Sequence, residues 1–296
     1  MNPRKTANSV RYVIITPARD EARYVVETIK GVLAQTVAPA EWIIVDDGST
    51  DCTASIVDRY AAQYPWISVI HRPNRGRRDV DTGAVGAFLA GYQALRSADW
   101  DFLVNLDADL CLEAEYFRRC FDQFAQEADL GIAGGILSHY AEDGSPVVEA
   151  GPTFHVRGAT KIYRRACWEA IGGLSEVPGW DTIDEVRANM TGWRARSLPQ
   201  IQALHQRPTG AVGGPWRDAL KGGRTAYFLG YHPLFMLAKC CRRLVERPYV
   251  LAAGGHFCGF VGAYFAKNAR LDDEPLVRYL RRQQLRRLLF MDSTWR

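Results

Sequence analysis

Seven cysteines are present, yet no two form a Cys-x-x-Cys pair, so the sequence encodes neither a zinc pattern nor a disulfide framework. The thiols read as reduced groups of a cytosolic compartment. No Gly-x-Gly-x-x-Gly follows the first apolar run, which argues against a nicotinamide dehydrogenase. A Gly-x-x-x-x-Gly-Lys-Ser/Thr loop is also absent, which argues against P-loop phosphate chemistry. Met1 to Arg11 is polar and predicts no signal peptide. No uncharged apolar run of about 18 residues, the length a spanning helix needs, occurs before residue 225. His71, His139, His155, His232 and His256 show no ligand spacing.

What is present is a globular composition. The 296 residues are 47% hydrophobic and 24% charged, enough for one large α/β domain or a domain with a substantial appendage. The net charge of +4 is modest but uneven: between Arg270 and Arg296, seven arginines stand against four acids.

Short apolar runs at 12–16, 42–45, 66–70 and 102–104 read as buried strands, with helical patterns over 22–35, 53–63 and 83–95 between them. This alternation predicts an α/β fold, doubly wound and mainly parallel, with ligands at the carboxyl ends of the strands. The polar groups at those ends are, in order, Arg19 and Glu21, then Asp46 and Asp47, then Arg75 to Arg78, then Asp107 and Asp109. In an extended chain Asp107 and Asp109 point the same way. Two carboxylates with no base between them suit a hard divalent cation that shares phosphate oxygens. Acids for a metal or a ribose beside arginines for phosphate predict a metal-dependent nucleotide site.

Ile14-Ile15-Thr16-Pro17-Ala18-Arg19-Asp20-Glu21, Ile44-Val45-Asp46-Asp47-Gly48-Ser49-Thr50-Asp51 and Leu106-Asp107-Ala108-Asp109, in that order and spacing, resemble family-2 glycosyltransferases of the GT-A fold, in their membrane-associated bacterial form. The resemblance covers roughly the first 210 residues. It implies a nucleotide-diphosphate sugar donor, Mg²⁺ or Mn²⁺ held through Asp-x-Asp, and transfer with inversion. By position it implies that Pro17, Arg19 and Glu21 line the nucleotide pocket and that Asp47 contacts the base. Asp107 then faces the ribose and metal, and Asp109 is the direct metal ligand. Arg75, Arg77 and Arg78 are candidates to assist the diphosphate, with Arg78 counted among the donor-binding residues. Asp20 stands where the family often has Asn.

Inversion requires a general base for the acceptor hydroxyl. If a helix starts near Asp181, then Asp181, Asp184 and Glu185 share one face. Counting back from Gly192-Trp193 sets Asp181 at the Asp of the family's Glu-Asp motif, with Trp180 where Glu usually stands. The base therefore lies between Asp181 and Asp184, with Glu185 third. After a strand over 196–204, one short loop holds His205, a candidate third metal ligand, and Arg207, a counter-charge for the diphosphate. Gly172-Gly173 reads as a helix C-cap.

The chain changes character near residue 214, which divides it into a catalytic domain, 1–213, and a mainly helical appendage, 214–296. Apolar segments at 227–241 and 249–266 are broken by His232-Pro233 and by Gly254-Gly255-His256. Leu276 to Leu289 is a basic amphipathic helix with Arg281, Arg282, Arg286 and Arg287. This predicts attachment to a membrane surface, on the cytoplasmic face of the inner membrane, with a lipid-linked acceptor. Nucleic acid is not an expected partner, because the arginines alternate with aliphatics rather than aromatics. Two other readings compete. A nucleotidyltransferase on a related sheet wants a Gly-rich basic loop after the first strand, and Pro17 to Glu21 is not one. A protein that binds sugar nucleotide without transferring it is expected to lack an Asp-x-Asp acid or the base, and neither is missing.

Overall fold

A computed structural model describes residues 10–76, 82–141, 143–149, 151–207, 214–244 and 249–294. Arg77 and Arg78 lie outside the described residues. The chain forms two compact units, residues 1–207 and 208–296.

The first unit opens with β1 (Tyr12–Ala18), α1 (Val25–Leu33), β2 (Glu41–Asp46), α2 (Thr53–Ala61), β3 (Ile67–His71), α3 (Gly83–Gln93) and β4 (Phe102–Leu106). It continues with β5 (Leu110–Cys111), α4 (Tyr116–Gln126), β6 (Leu130–Tyr140), β7 (Pro146–Val148), β8 (Thr160–Arg164), α5 (Arg165–Ile171), α6 (Trp180–Met190) and β9 (Arg194–His205). One sheet runs in the order β3-β2-β1-β4-β8-β6-β9-β5, with β7 paired to β6.

Strands β3, β2, β1 and β4 are parallel, the half that the strand–helix alternation predicted. Period two then sorts their side chains. Tyr12, Ile14, Trp42, Ile44 and Val104 meet α1, α2 and α4 on one face. Val13, Ile15, Ile43, Val45 and Leu103 meet α3, α5 and α6 on the other. Burying each large aliphatic or aromatic side chain stabilises the fold by about 1.5–3 kcal/mol, and having both faces covered explains why these strands are unbroken apolar runs. Beyond β4 the directions mix. β8 runs antiparallel to β4 and β6, while β6 runs parallel to β9. Among the described residues no helix joins β7 to β8, so the second half lacks the alternation that announced the first. Pro17 fits its strand because the β1–β4 ladder stops at Ile15, leaving the missing N–H without a β4 partner to bond.

The second unit holds α7 (Pro215–Phe228), α8 (Pro233–Arg243), α9 (Tyr249–Phe265) and α10 (Glu274–Leu288). The break expected at His232-Pro233 is there: Pro233 starts α8, and the His232 side chain accepts the Leu234 N–H. The break expected at Gly254-Gly255-His256 is not, because α9 runs through it. Glycine serves contact there instead. A Cβ on Gly259 would stand 2.1 Å from the Leu220 carbonyl oxygen, and one on Gly223 would stand 2.2 Å from that of His256, so α7 and α9 touch backbone to backbone. Among the described residues no helix is long and apolar enough to cross a membrane.

Candidate active site

The exits of β1, β2 and β3 are tied together by hydrogen bonds that the polar residues after each strand supply. Asp20 turns the chain at φ 56°, a left-handed conformation that Asp and Asn both tolerate, so Asp in place of Asn suits this turn. Its carboxylate accepts the Thr50 N–H at 2.7 Å, and Glu21 N–H donates to Thr53 Oγ1 at 2.8 Å. Gly48, at φ 73°, lets the β2 exit pass so close to Asn74 that a Cβ would lie 2.5 Å from its Cα. Asp47 is buried, with Arg72 donating to Oδ1 at 2.8 Å and Arg75 to Oδ2 at 2.7 Å. Arg19 donates to the Asp47 carbonyl at 3.2 Å and to Asn74 Oδ1 at 3.0 Å. The sequence reading named Arg19, Asp47 and Arg75 but missed Arg72, although it directly follows β3, the kind of position that carried the others. Pro17 stands half-buried near the end of β1, before this cluster.

The second group gathers at the end of β4. Asp107 leaves the strand with its N–H donating to the Ala159 carbonyl at 2.9 Å. Pairing of β5 with β9 sets Leu110 opposite His205, which brings the loop after β9 onto Asp109. His205 Nε2 lies 3.2 Å from Asp109 Oδ2, and its Nδ1 lies 3.3 Å from Glu149 Oε1. Arg207 Nε donates to Asp109 Oδ2 at 2.7 Å, its other end binds Glu21, and its guanidinium lies 5.2 Å over the Tyr24 ring. Tyr24 and Glu149 carried no signal in the sequence, since nothing local marks a tyrosine at a helix start or an acid after a short strand.

Electrostatics set the two acids apart. Desolvation, reinforced by the charge of Asp109, pushes the Asp107 carboxyl up to about 7. Asp109 is held below the usual range, because the hydrogen bonds and charges of His205 and Arg207 outweigh its desolvation. Desolvation lowers the His205 imidazole, but the carboxylates of Asp109 and Glu149 prevail and push it up to about 9.

These residues fit a divalent cation in one respect. Asp107 and Asp109 supply hard oxygens in a place where negative charge is unfavourable, and a cation shared with phosphates needs only one or two protein carboxylates. Among the described residues no three His, Cys, Asp or Glu side chains form a group that could hold a metal. The structure brings His205 to Asp109 at one ring nitrogen and to Glu149 at the other. Arg207 bridges Asp109 and Glu21.

The third group is at α6. Asp181 lies in the first turn, where the helix dipole favours an anion, and its side chain is 37% exposed. Asp184 and Glu185 are buried at 1% and 4% exposure. Lys161, fully buried on β8, places Nζ 3.0 Å from Asp184 and 3.0 Å from Glu185, and donates to the Asp181 carbonyl at 2.6 Å. Tyr163 donates to Asp184 at 2.6 Å, and Val156 N–H to Glu185 at 2.7 Å. Desolvation raises Asp184 to about 7 against the pull of Lys161, whereas His155 and Lys161 hold Glu185 low despite its burial. The helix turns the Asp184 and Glu185 side into the sheet, where both acids lie in a buried ion cluster with Lys161, whereas the Asp181 side chain keeps part of its exposure.

The second and third groups share a seam. β4–β8 register sets Lys161 opposite Asn105, two residues before Asp107. Asn105 Nδ2 donates to the Gly158 carbonyl at 2.6 Å, and the Trp180 ring lies over Gly158.

Residues 13–165 match the model for glycosyl transferase family 2. The chain is similar to the glycosyltransferase GlyG of Streptococcus pneumoniae serotype 4, 29% identical over 129 residues, covering 44% of this chain and 40% of the relative. It is similar to the chondroitin synthase of Escherichia coli, 31% identical over 117 residues, covering 40% of this chain and 16% of the relative. A third relative is the undecaprenyl-phosphate mannosyltransferase of Micrococcus luteus, 31% identical over 123 residues, 42% of this chain and 47% of the relative. The matched segment spans less than half the length of each of these relatives. Among solved structures, the mannosyltransferase PcManGT from Pyrobaculum calidifontis in complex with GDP-Man and Mn²⁺ aligns with a TM-score of 0.56 at 20% identity, over 94% of this chain and 80% of that one. TarS 1-349 of S. aureus in complex with UDP-GlcNAc aligns with a TM-score of 0.51 at 15% identity, over 94% and 81%. At these identities the likeness is one of fold, and the fold is GT-A.

Proposed function

The chain belongs to glycosyl transferase family 2, and from that premise we propose an inverting, metal-dependent transfer of a sugar from a nucleotide-diphosphate donor to an acceptor hydroxyl or phosphate. The observation that carries the reading is the acid pair at the end of β4, Asp109 buried and Asp107 half-buried, where desolvation and mutual repulsion raise Asp107 to about 7. Asp107 and Asp109 would hold Mg²⁺ or Mn²⁺. When bound, the cation neutralises charge on the departing nucleoside diphosphate. Arg19, Arg72 and Arg75 surround Asp47 at the nucleotide end, where they supply positive charge and a polar wall. Asp181 takes the acceptor's proton as the acceptor oxygen bonds to the anomeric carbon and the bond from that carbon to the diphosphate oxygen breaks.

A lipid-linked acceptor at a membrane surface belongs to the same reading. The name of the Micrococcus relative supports a polyprenyl phosphate acceptor. So does the second unit, where a cavity of about 470 Å³ is lined by Arg281, Arg282 and Arg286 with Leu285 and Leu289, and by Arg278 paired to Glu274. Phe290, just beyond α10, is 89% exposed. Basic and apolar surface side by side suits an anionic lipid.

The test is donor binding to the purified chain across uridine-, guanosine- and thymidine-diphosphate sugars, with and without Mn²⁺, beside Asp109→Ala. One donor is expected to bind only with metal, and the substitution is expected to weaken it at least about 100-fold. Binding indifferent to both metal and Asp109 would overturn the proposal.

A further inference from the structure

His155 belongs to no helix or strand, and it lies between β7 and β8 at the seam described above. Its Nδ1 donates to Glu185 Oε2 at 2.9 Å, and the following residue, Val156, donates its N–H to the other oxygen of the same carboxylate. Ser197 Oγ donates to the His155 carbonyl at 2.5 Å. Ring and backbone are therefore both fixed. The remaining ring nitrogen, Nε2, lies 3.8 Å from Asp181 Oδ2. A histidine needed only to hold α6 would require Glu185 alone; this one also approaches Asp181, the one acid of the three that keeps part of its exposure.

We infer that His155 is a positioning residue for Asp181, a ring clamped by Glu185 whose far edge fixes the rotamer of the base. The inference rests on the transfer reading above. Facing the ring are Glu185 and Asp181 from α6 and Lys161 from β8. Desolvation and Lys161 work against its charge, but Glu185 and Asp181 prevail and hold it above the ordinary histidine value. No proton leaves His155 in the reaction. The acceptor's proton goes to Asp181, whose Oδ2 lies 3.8 Å from the charged edge of the ring. Orientation of this kind is worth an order of magnitude or more in rate when a general base must meet one hydroxyl.

Two substitutions separate this role from a structural one. His155→Asn keeps a donor where Nδ1 stands but stops short of Asp181, whereas His155→Gln reaches the Nε2 position and gives up the Nδ1 bond. The reaction to follow is hydrolysis of the donor selected by the binding panel, with water in the acceptor's place. Positioning predicts that Asn lowers kcat about tenfold with donor KM unchanged, and that Gln keeps more activity than Asn. Wild type should lose kcat as pH rises through the raised histidine value, and neither variant should show that limb. Asn at least as active as Gln, or an unchanged alkaline limb, would mean that His155 only braces α6. Asp181→Asn keeps the two readings apart. If it hydrolyses donor at the wild-type rate, the base assignment falls and takes this inference with it. If it is inactive while His155→Asn matches wild type, the inference about His155 alone is overturned.

Discussion

The acids at the end of β4 and those on α6 are neighbours across two paired strands, and both meet cations, yet their cations differ in kind. Around Asp109 the cations come from the loop after β9: Arg207 retains 23% of its side-chain exposure, and its guanidinium spans two acids. Around Asp184 the cation is Lys161, on a central strand and fully buried. A charge pair that water still reaches can exchange partners with an incoming ligand. A pair sealed in the sheet cannot do so without unfolding part of it. The comparison teaches that an acid's role follows from the burial of its partner rather than from its own place in a motif.

Removing each cation tests this most directly. Lys161→Met leaves Asp184 and Glu185 buried without their shared partner, and breaking such a pair costs about 3–5 kcal/mol. The thermal midpoint should fall steeply. Arg207→Met should cost a fraction of that, since its acids keep His205 or solvent, and it should alter donor binding instead. Equal losses of stability in calorimetry would erase the distinction between the two clusters.

The midpoint should also depend on pH through His155. Its value in the folded protein is raised, so its stabilising contribution is complete below the unfolded value of about 6.5 and is lost as pH rises through the folded value. The stability difference between wild type and His155→Asn should therefore be largest near pH 6 and shrink toward pH 9. A gap that widens with pH would show that the ring is neutral and that the cluster holds one cation rather than two.

How much of this was legible in the sequence differs between the same two regions. The acids and arginines at the ends of β1, β2 and β4 could be placed from the alternation of apolar runs, because each sits beside the strand that positions it. Partners could not. Arg207 meets Glu21 across 186 residues and Asp109 across 98, and no local pattern records a register set by β5 and β9. On α6 the sequence put Asp181, Asp184 and Glu185 on one face, which helical spacing permits, but it had no means of saying that the face points into the sheet. One sign was available: Lys161 stands among Thr160, Ile162 and Tyr163 in a short run that forms β8, and lysine is almost never fully buried without a partner. A lysine in an apolar strand asks for a buried acid, and α6 supplies two.

The seam itself offers the finest test. Gly158 has no left-handed backbone requirement, so an added methyl group meets only the neighbouring ring: its Cβ would lie 3.1 Å from Trp180 Cη2 and 3.2 Å from Cζ2. That is a few tenths of an ångström too close, and a ring at the start of a helix can shift by that much at small cost. Gly158→Ala should therefore change stability by less than about 1 kcal/mol. The shift would, however, be passed to Asp181, the next residue, and to the 3.8 Å approach of His155. A loss of about threefold in kcat, with donor affinity and metal dependence intact, is the expected signature, since misplacing a base costs rate before it costs binding. If donor affinity fell as well, the Asp109 and Asp181 groups would be mechanically one site. If kcat did not move, Trp180 would be packing alone, and α6 would hold its base by the Lys161 cluster without help from the seam.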